Sequence, residues 1–158
     1  MAAEHEVFHL ELRLAAVVDL EEIIALDRHS FSMAWSRQMF LDELSGDDKH
    51  LYCVFQSNPD ISPLLLGFIC FHHCLDEADL LRIAVHPDKK RKGIASFLIR
   101  EMMALLKDKK VKEIFLEVGN SNHAARMLYR SFDFQLMGRR SGYYSGTRED
   151  ALIMKAML

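Results

Sequence analysis

Three observations predict an α+β fold built on a mixed sheet. Segments of period two alternate with segments of helical period along the chain. An apolar, β-rich run at Leu80–Val85 passes through a basic loop directly into a strongly amphipathic helix. A length of 158 residues, half of them hydrophobic, supports one core and is too short for two, so residues 1–158 are read as a single domain.

Each element has its own signal. Val7, Phe8, Leu10, Leu12 and Leu14 approximate strand alternation, after which Leu20, Ile23, Ile24 and Phe31 move to helical spacing. Asp19 stands as the N-cap of that helix, with Glu22 at its third position. Ser36 opens a second helix carrying Met39, Phe40 and Leu44, and Gly46 stops it. Tyr52–Phe55 and Leu64–Leu75 form two strands joined through the turn-forming segment SNPDISP, a hairpin. Asp76 and Glu77 turn the chain into the central strand Leu80–Val85, which ends at His86-Pro87. Beyond DKKRKG, the residues Ile94, Phe97, Leu98, Met102, Leu105 and Leu106 occupy one face of a helix that ends in Lys107, Lys109 and Lys110. Ile114–Val118 is the next strand. Ser121 or Asn122 caps a helix carrying Ala125, Leu128, Tyr129 and Phe132, and strands near Phe134–Gly138 and Ala151–Met154 close the chain.

Composition narrows the function classes. A formal charge of -3 supplies no field for a polyanion, so a general nucleic-acid binder is disfavoured. Three cysteines without framework spacing suit a reducing compartment. The opening MAAEHEVFHLELRLA has acidic residues where an export signal needs a basic stub and an unbroken apolar run. Leu64–Phe71, the longest apolar run, falls well short of the roughly 20 residues of a membrane helix. A soluble, cytoplasmic, monomeric protein with no membrane or nucleic-acid partner is expected.

In LRIAVHPDKKRKGIASFLI, a glycine and a cluster of cations precede the first free amides of a helix. Helix N-termini carry partial positive charge and unsatisfied donors, which makes Arg91, Lys92, Gly93, Ile94, Ala95 and Ser96 a seat for a diphosphate. The rival reading of those residues alone is a solvated basic loop. Neither G-x-x-x-x-G-K-[ST] nor G-x-G-x-x-G is present, which leaves ATPase and dinucleotide readings weak.

Lys90-Arg91-Lys92-Gly93-Ile94-Ala95 resembles the acyl-CoA signature Q/R-x-x-G-x-G/A of the GNAT superfamily of N-acetyltransferases. Further matches resemble one branch, the RimI-type ribosomal-protein-alanine N-acetyltransferases. They are Glu77-Ala78 with Ile83-Ala84-Val85-His86-Pro87, Ala34-Trp35-Ser36 for Pro-Trp-Ser, LEVGNSNHAARMLY, and Tyr143-Tyr144 followed by Arg148-Glu149-Asp150-Ala151. They span nearly the whole chain in order. The resemblance implies the GNAT fold, a mostly antiparallel sheet of about six to seven strands flanked by about four helices. It also implies acetyl-CoA as co-substrate, without a metal. Ile83, Ala84 and Val85 would pair with the pantetheine amides, and Asn122 would contact the cofactor in addition to its possible place as a helix cap.

Glu117 sits in the apolar strand IFLEV, where a carboxylate must either find a partner or face a cleft. Tyr129 by itself reads as an ordinary core tyrosine with its hydroxyl at the edge. The resemblance implies that Glu117 accepts the proton of the incoming amine and that Tyr129 protonates the departing thiolate. The chemistry asks for both. An α-amine with a reference pKa of about 7.7–8.0 is largely protonated near neutrality, and a thiolate leaves more readily beside an acid. Trp35, Tyr143 and Tyr144 would wall the acceptor groove, and the implied acceptor is the N-terminal alanine of a small-subunit ribosomal protein. The sequence departs from the family at Gly119, where an Arg is usual, at Asp133 in place of Gly, and at Ala34 in place of Pro. Alternatives are a GNAT enzyme acting on a lysine side chain or a small-molecule amine, and a non-catalytic CoA-binding regulatory domain. Cys70, His72 and Cys74 share a strand face but lack the fourth ligand of a structural zinc site, so no metal is expected.

Overall fold

The structure, a computed structural model, describes residues 9–48, 50–58, 60–144 and 148–158, the side chain of Tyr144 excepted. The elements are β1 (His9–Leu14), α1 (Leu20–Ser30), α2 (Arg37–Ser45), β2 (Leu51–Asn58), β3 (Ile61–Cys74), β4 (Glu77–Val85), α3 (Ile94–Asp108), β5 (Glu113–Gly119), α4 (His123–Arg130), β6 (Gln135–Tyr144) and β7 (Glu149–Met157). The seven strands form one sheet in the order β1-β2-β3-β4-β5-β7-β6. β4 and β5 run parallel, whereas β1–β2, β5–β7 and β6–β7 are antiparallel. The predicted α+β class and its mixed sheet are therefore observed. No helix among the described residues is long and apolar enough to cross a membrane.

The chain divides into two compact units, Met1–Ile69 with Ile83–Leu98, and Cys70–Arg82 with Ile99–Leu158. In the first, Leu20 and Ile23 of α1, Phe40 of α2 and Leu66 and Phe68 of β3 are fully buried, and the Phe40 ring meets Phe68 edge-on at 5.8 Å. In the second, Ile99, Met102 and Leu106 of α3, Ile114 of β5 and Phe134 are buried to the same degree.

Several boundaries differ from the expectation for physical reasons. Val7 and Phe8 lie outside the described residues. Glu77, expected in a turn, begins β4 because Glu77–Leu80 pair in register with Glu113–Leu116, and its exposed acids alternate with buried Ala78 and Leu80. The turn is made at Leu75 and Asp76, the latter as expected, with φ 55° at Leu75. β3 starts at Ile61, inside the expected turn, because sheet pairing overrides local propensity. α4 ends at Arg130, which leaves Phe132 in the following turn rather than on the helix. Gly46 does cap α2, but with φ -66°, so its left-handed freedom is unused.

Asp19 precedes α1 as expected, yet its carboxylate makes no cap bond to that helix. It accepts instead from both terminal nitrogens of Arg13, at 2.7 and 2.9 Å, and from the Ala16 N–H at 2.8 Å. A bidentate guanidinium outcompetes a neutral amide for a carboxylate. The Arg13 bonds, followed by the Ala16 N–H, hold the Asp19 carboxyl below the usual carboxylate range against the opposing effect of burial. In the same unit, burial pushes the Cys53 thiol up to about 12.

Candidate active site

In the first unit, β4 ends at Val85 and the chain turns through Pro87–Lys89, where the His86 N–H donates to Leu66 O at 2.7 Å. The loop then adopts positive φ twice, 61° at Arg91 and 79° at Gly93. A Cβ on Gly93 would meet nothing within 4 Å, so this glycine is required for its backbone conformation, and the space above it is open. The first helical bond of α3 runs from Phe97 N–H to Gly93 O at 2.9 Å. The amides of Ile94, Ala95 and Ser96 therefore precede any intrahelical acceptor and can serve an anion. Arg91, Lys92 and Gly93 are exposed beside them. A cavity of about 230 Å³ lined by Leu10, Leu66, Lys89, Lys92 and Ile94 opens at the loop. Cations, free amides and an apolar floor suit a phosphate ester with an extended apolar arm.

Ile83–Val85 form the end of β4, with Ala84 buried and its neighbours half-buried. Gly67 of β3 lies so close that a Cβ there would sit 2.6 Å from Ala84 O. Trp35 is half-buried, its ring centroid 5.2 Å from that of Phe40 and its backbone N–H donating to the buried Asp27 carboxylate at 2.7 Å. The Trp35 ring is thus seated against the core while part of it stays accessible.

In the second unit, β5 pairs with β4 from Glu113 to Leu116, and with β7 along its whole length to Gly119↔Ala151. Glu117–Gly119 are therefore paired on one edge among the described residues. Val118 faces the buried side with Leu116, and Glu117 faces the half-open side with Phe115. The Glu117 carboxylate is not alone there. Nη2 of Arg140, on β6, lies 3.2 Å from its Oε1, and the Arg140 guanidinium stands 5.5 Å from the centroid of the Tyr143 ring. Tyr143 is half exposed. Tyr144 ends β6 opposite Glu149, but its side chain lies outside the described residues.

Asn122 caps α4, its Oδ1 accepting from Ala125 N–H at 3.2 Å. Tyr129 is buried on α4, edge-on to Phe134 at 5.8 Å. Asp133, after α4, has φ 62°, the left-handed conformation that Asp tolerates better than most residues.

Gly119 abuts Glu149, whose carboxylate atoms lie 3.1–3.2 Å from a hypothetical Cβ. Glu149 accepts from the Ser121 N–H, and hydrogen bonding by Ser121 holds its carboxyl below the usual range. Asp150 accepts from Gly142 N–H at 2.9 Å and pairs with Arg139 at 3.2 Å, which ties the β6–β7 hairpin to itself. Arg140, Glu149 and Asp150 carried no functional expectation from sequence as partners of these groups. Their acid or base character was visible, but the pairing that brings Arg140 to Glu117, Glu149 to Ser121 and Asp150 to Arg139 was not. Cys70 is buried on β3, whereas His72 and Cys74 are exposed.

The model of the acetyltransferase (GNAT) family matches residues 19–134. The chain is 33% identical over 138 residues to the ribosomal protein bS18-alanine N-acetyltransferase of Escherichia coli K12, covering 86% of this chain and 89% of the relative. It is 30% identical over 145 residues to the Salmonella typhimurium enzyme of the same name, covering 90% and 94%. Among solved structures, the ribosomal-protein-S18-alanine N-acetyltransferase from Escherichia coli superposes with a TM-score of 0.82 at 28% identity, covering 94% of each chain.

Proposed function

The chain belongs to the acetyltransferase (GNAT) family, and from that premise we propose that it acetylates the N-terminal alanine of a small-subunit ribosomal protein, with acetyl-CoA as donor. The observation that carries the acceptor is the 33% identity spread over 86% of this chain and 89% of a bS18-alanine N-acetyltransferase. The family match, residues 19–134, runs through both compact units, which supports reading them as one acetyltransferase domain. A ribosomal-protein acceptor places the reaction in the cytoplasm.

The loop supplies the donor site: Arg91 and Lys92 with the amides of Gly93, Ile94, Ala95 and Ser96 would hold the diphosphate. The strand end Ile83-Ala84-Val85 would offer its backbone to the pantetheine amides, and Asn122 its side chain. Glu117 takes a proton from the acceptor ammonium, directly or through water. The amine lone pair then forms the new C–N bond at the thioester carbonyl carbon. As the C–S bond breaks, its electron pair stays on sulfur, the Tyr129 hydroxyl supplies the proton that makes the free thiol, and the second proton shed by the acylated nitrogen passes through water to restore that hydroxyl. Trp35, Tyr143 and Tyr144 flank the acceptor chain. A placed acid or base of this kind is worth about 100- to 10,000-fold.

The test is CoA release from acetyl-CoA with a peptide copying the N-terminus of the organism's own small-subunit protein, beside the same peptide with a blocked amine. Release with the free amine alone is the expected result, and Glu117→Gln should lower it at least about 100-fold while leaving acetyl-CoA binding nearly intact. Release with lysine side chains or small amines instead would make this a GNAT enzyme of another acceptor class. Acetyl-CoA binding without release would make it a CoA-binding domain.

A further inference from the structure

We infer that Arg140 is a positioning residue for Glu117: its guanidinium, reaching across β7 from β6, fixes one carboxylate oxygen and leaves the other for the acceptor proton. The inference rests on the reading of Glu117 as the base. β5 carries no cation of its own, its sequence being EIFLEVG. The cation arrives by register. Arg140 pairs with Ala151 and Ala151 with Gly119, so the three lie in one row on the face that Glu117 shares. The other two residues of that row, Ala151 and Gly119, have almost no side chain, and a long guanidinium can cross it. Arg140 Nη2 ends 3.2 Å from Glu117 Oε1, and among the described residues Glu117 pairs with no other cation.

The pair is asymmetric in a useful way. The Glu117 side chain is 29% exposed and that of Arg140 55%, so as a stability device the contact is of the weak surface kind. As an orienting device it is well placed. Glu113, two turns of the pleat earlier on the same face of β5, also meets a cation, Lys155 of the adjacent β7, at 3.2 Å. Without Arg140 the Glu117 carboxylate would sample its rotamers over an open face, and a misplacement of about 1 Å in a reacting group can cost up to about 100-fold. Tyr143, 5.5 Å from the guanidinium carbon, limits how far Arg140 can swing.

A double-mutant cycle tests this in the peptide acetylation assay, with Arg140→Gln, Glu117→Gln, the double variant, and Arg140→Lys as the conservative rescue. Arg140→Gln should lower kcat about 10-fold with the KM for acetyl-CoA unchanged, and Arg140→Lys should restore most of it. In the Glu117→Gln background the same change should cost less than about twofold, because its target is gone. Equal losses in both backgrounds, or a change confined to the peptide KM, would overturn the assignment by showing that Arg140 acts on something other than Glu117. A readout independent of activity is the water exchange of the Arg140 Nη2 protons by NMR, the group that meets Glu117. It should quicken about 10-fold in Glu117→Gln, and equal rates in parent and variant would also overturn the pairing. A parent that transfers no acetyl group, with the exchange difference intact, would sink the acetyltransferase reading and leave the pairing standing.

Discussion

Replacing Gly67 by alanine would test the packing that sets the proposed donor strand. The added Cβ would lie 2.6 Å from Ala84 O, where ordinary van der Waals contact begins at 3.4 Å, a shortfall of about 0.8 Å (3.4 minus 2.6). The obstructing atom is backbone, and the neighbouring bond from His86 N–H to Leu66 O at 2.7 Å ties the same strands together, so neither side can swing away as a side chain would. Overpacking of this kind costs about 1–3 kcal/mol. Alanine recovers about 0.4–1 kcal/mol by restricting the unfolded chain. The central values leave a net loss of about 1.3 kcal/mol (2 minus 0.7), and at about 2–4 °C per kcal/mol for a chain of this size the midpoint should fall by about 3–5 °C. Because any relief must come from moving Ala84, in the middle of Ile83–Val85, the thermal shift produced by saturating acetyl-CoA should shrink as well. Differential scanning calorimetry with and without acetyl-CoA reads both effects. A Gly67→Ala protein with an unchanged or higher midpoint would refute the reasoning.

The Arg13–Asp19 pair should show in acid. A carboxyl depressed in the folded state contributes stability above its unfolded value, about 3.9, and loses it as pH falls through the folded value. Asp19→Asn should therefore cost about 2 kcal/mol in urea unfolding at pH 7, with the gap closing towards pH 3. A gap that is the same at both pH values would contradict it. In the native protein, iodoacetamide at pH 8 should modify the exposed Cys74 and spare the buried Cys53 and Cys70, Cys53 doubly so because its thiol is raised to about 12. Mass mapping that finds Cys53 labelled before unfolding would contradict its burial.

Much of the fold was legible because the signals were local. The amphipathic helix α3, the caps at Ser36 and Asn122, and the strand β5 follow from period and capping chemistry that act over a few residues. So does the left-handed turn at Asp133. The errors came where a neighbour outvoted the local preference. Asp19 faced a choice between its own helix and Arg13, and Glu77 one between a turn and a parallel ladder with Glu113; spacing along the chain contains neither competitor.

The sequence by itself determined the class, the family and the residue types of both half-sites: a glycine and cations before a helix, and a carboxylate in an apolar strand. Only the tertiary structure decided what faces that carboxylate. Leu136 pairs with Met154, and continuing that register would set Arg140 opposite Asp150, on the other face of the sheet. The irregularity at Met137 shifts the register by one, to Gly138↔Ile153 and Arg140↔Ala151. Side chains alternate with period two, so a one-residue shift exchanges the faces and brings Arg140 to the Glu117 side. Such a shift is a property of two paired strands, and no reading of either strand alone contains it.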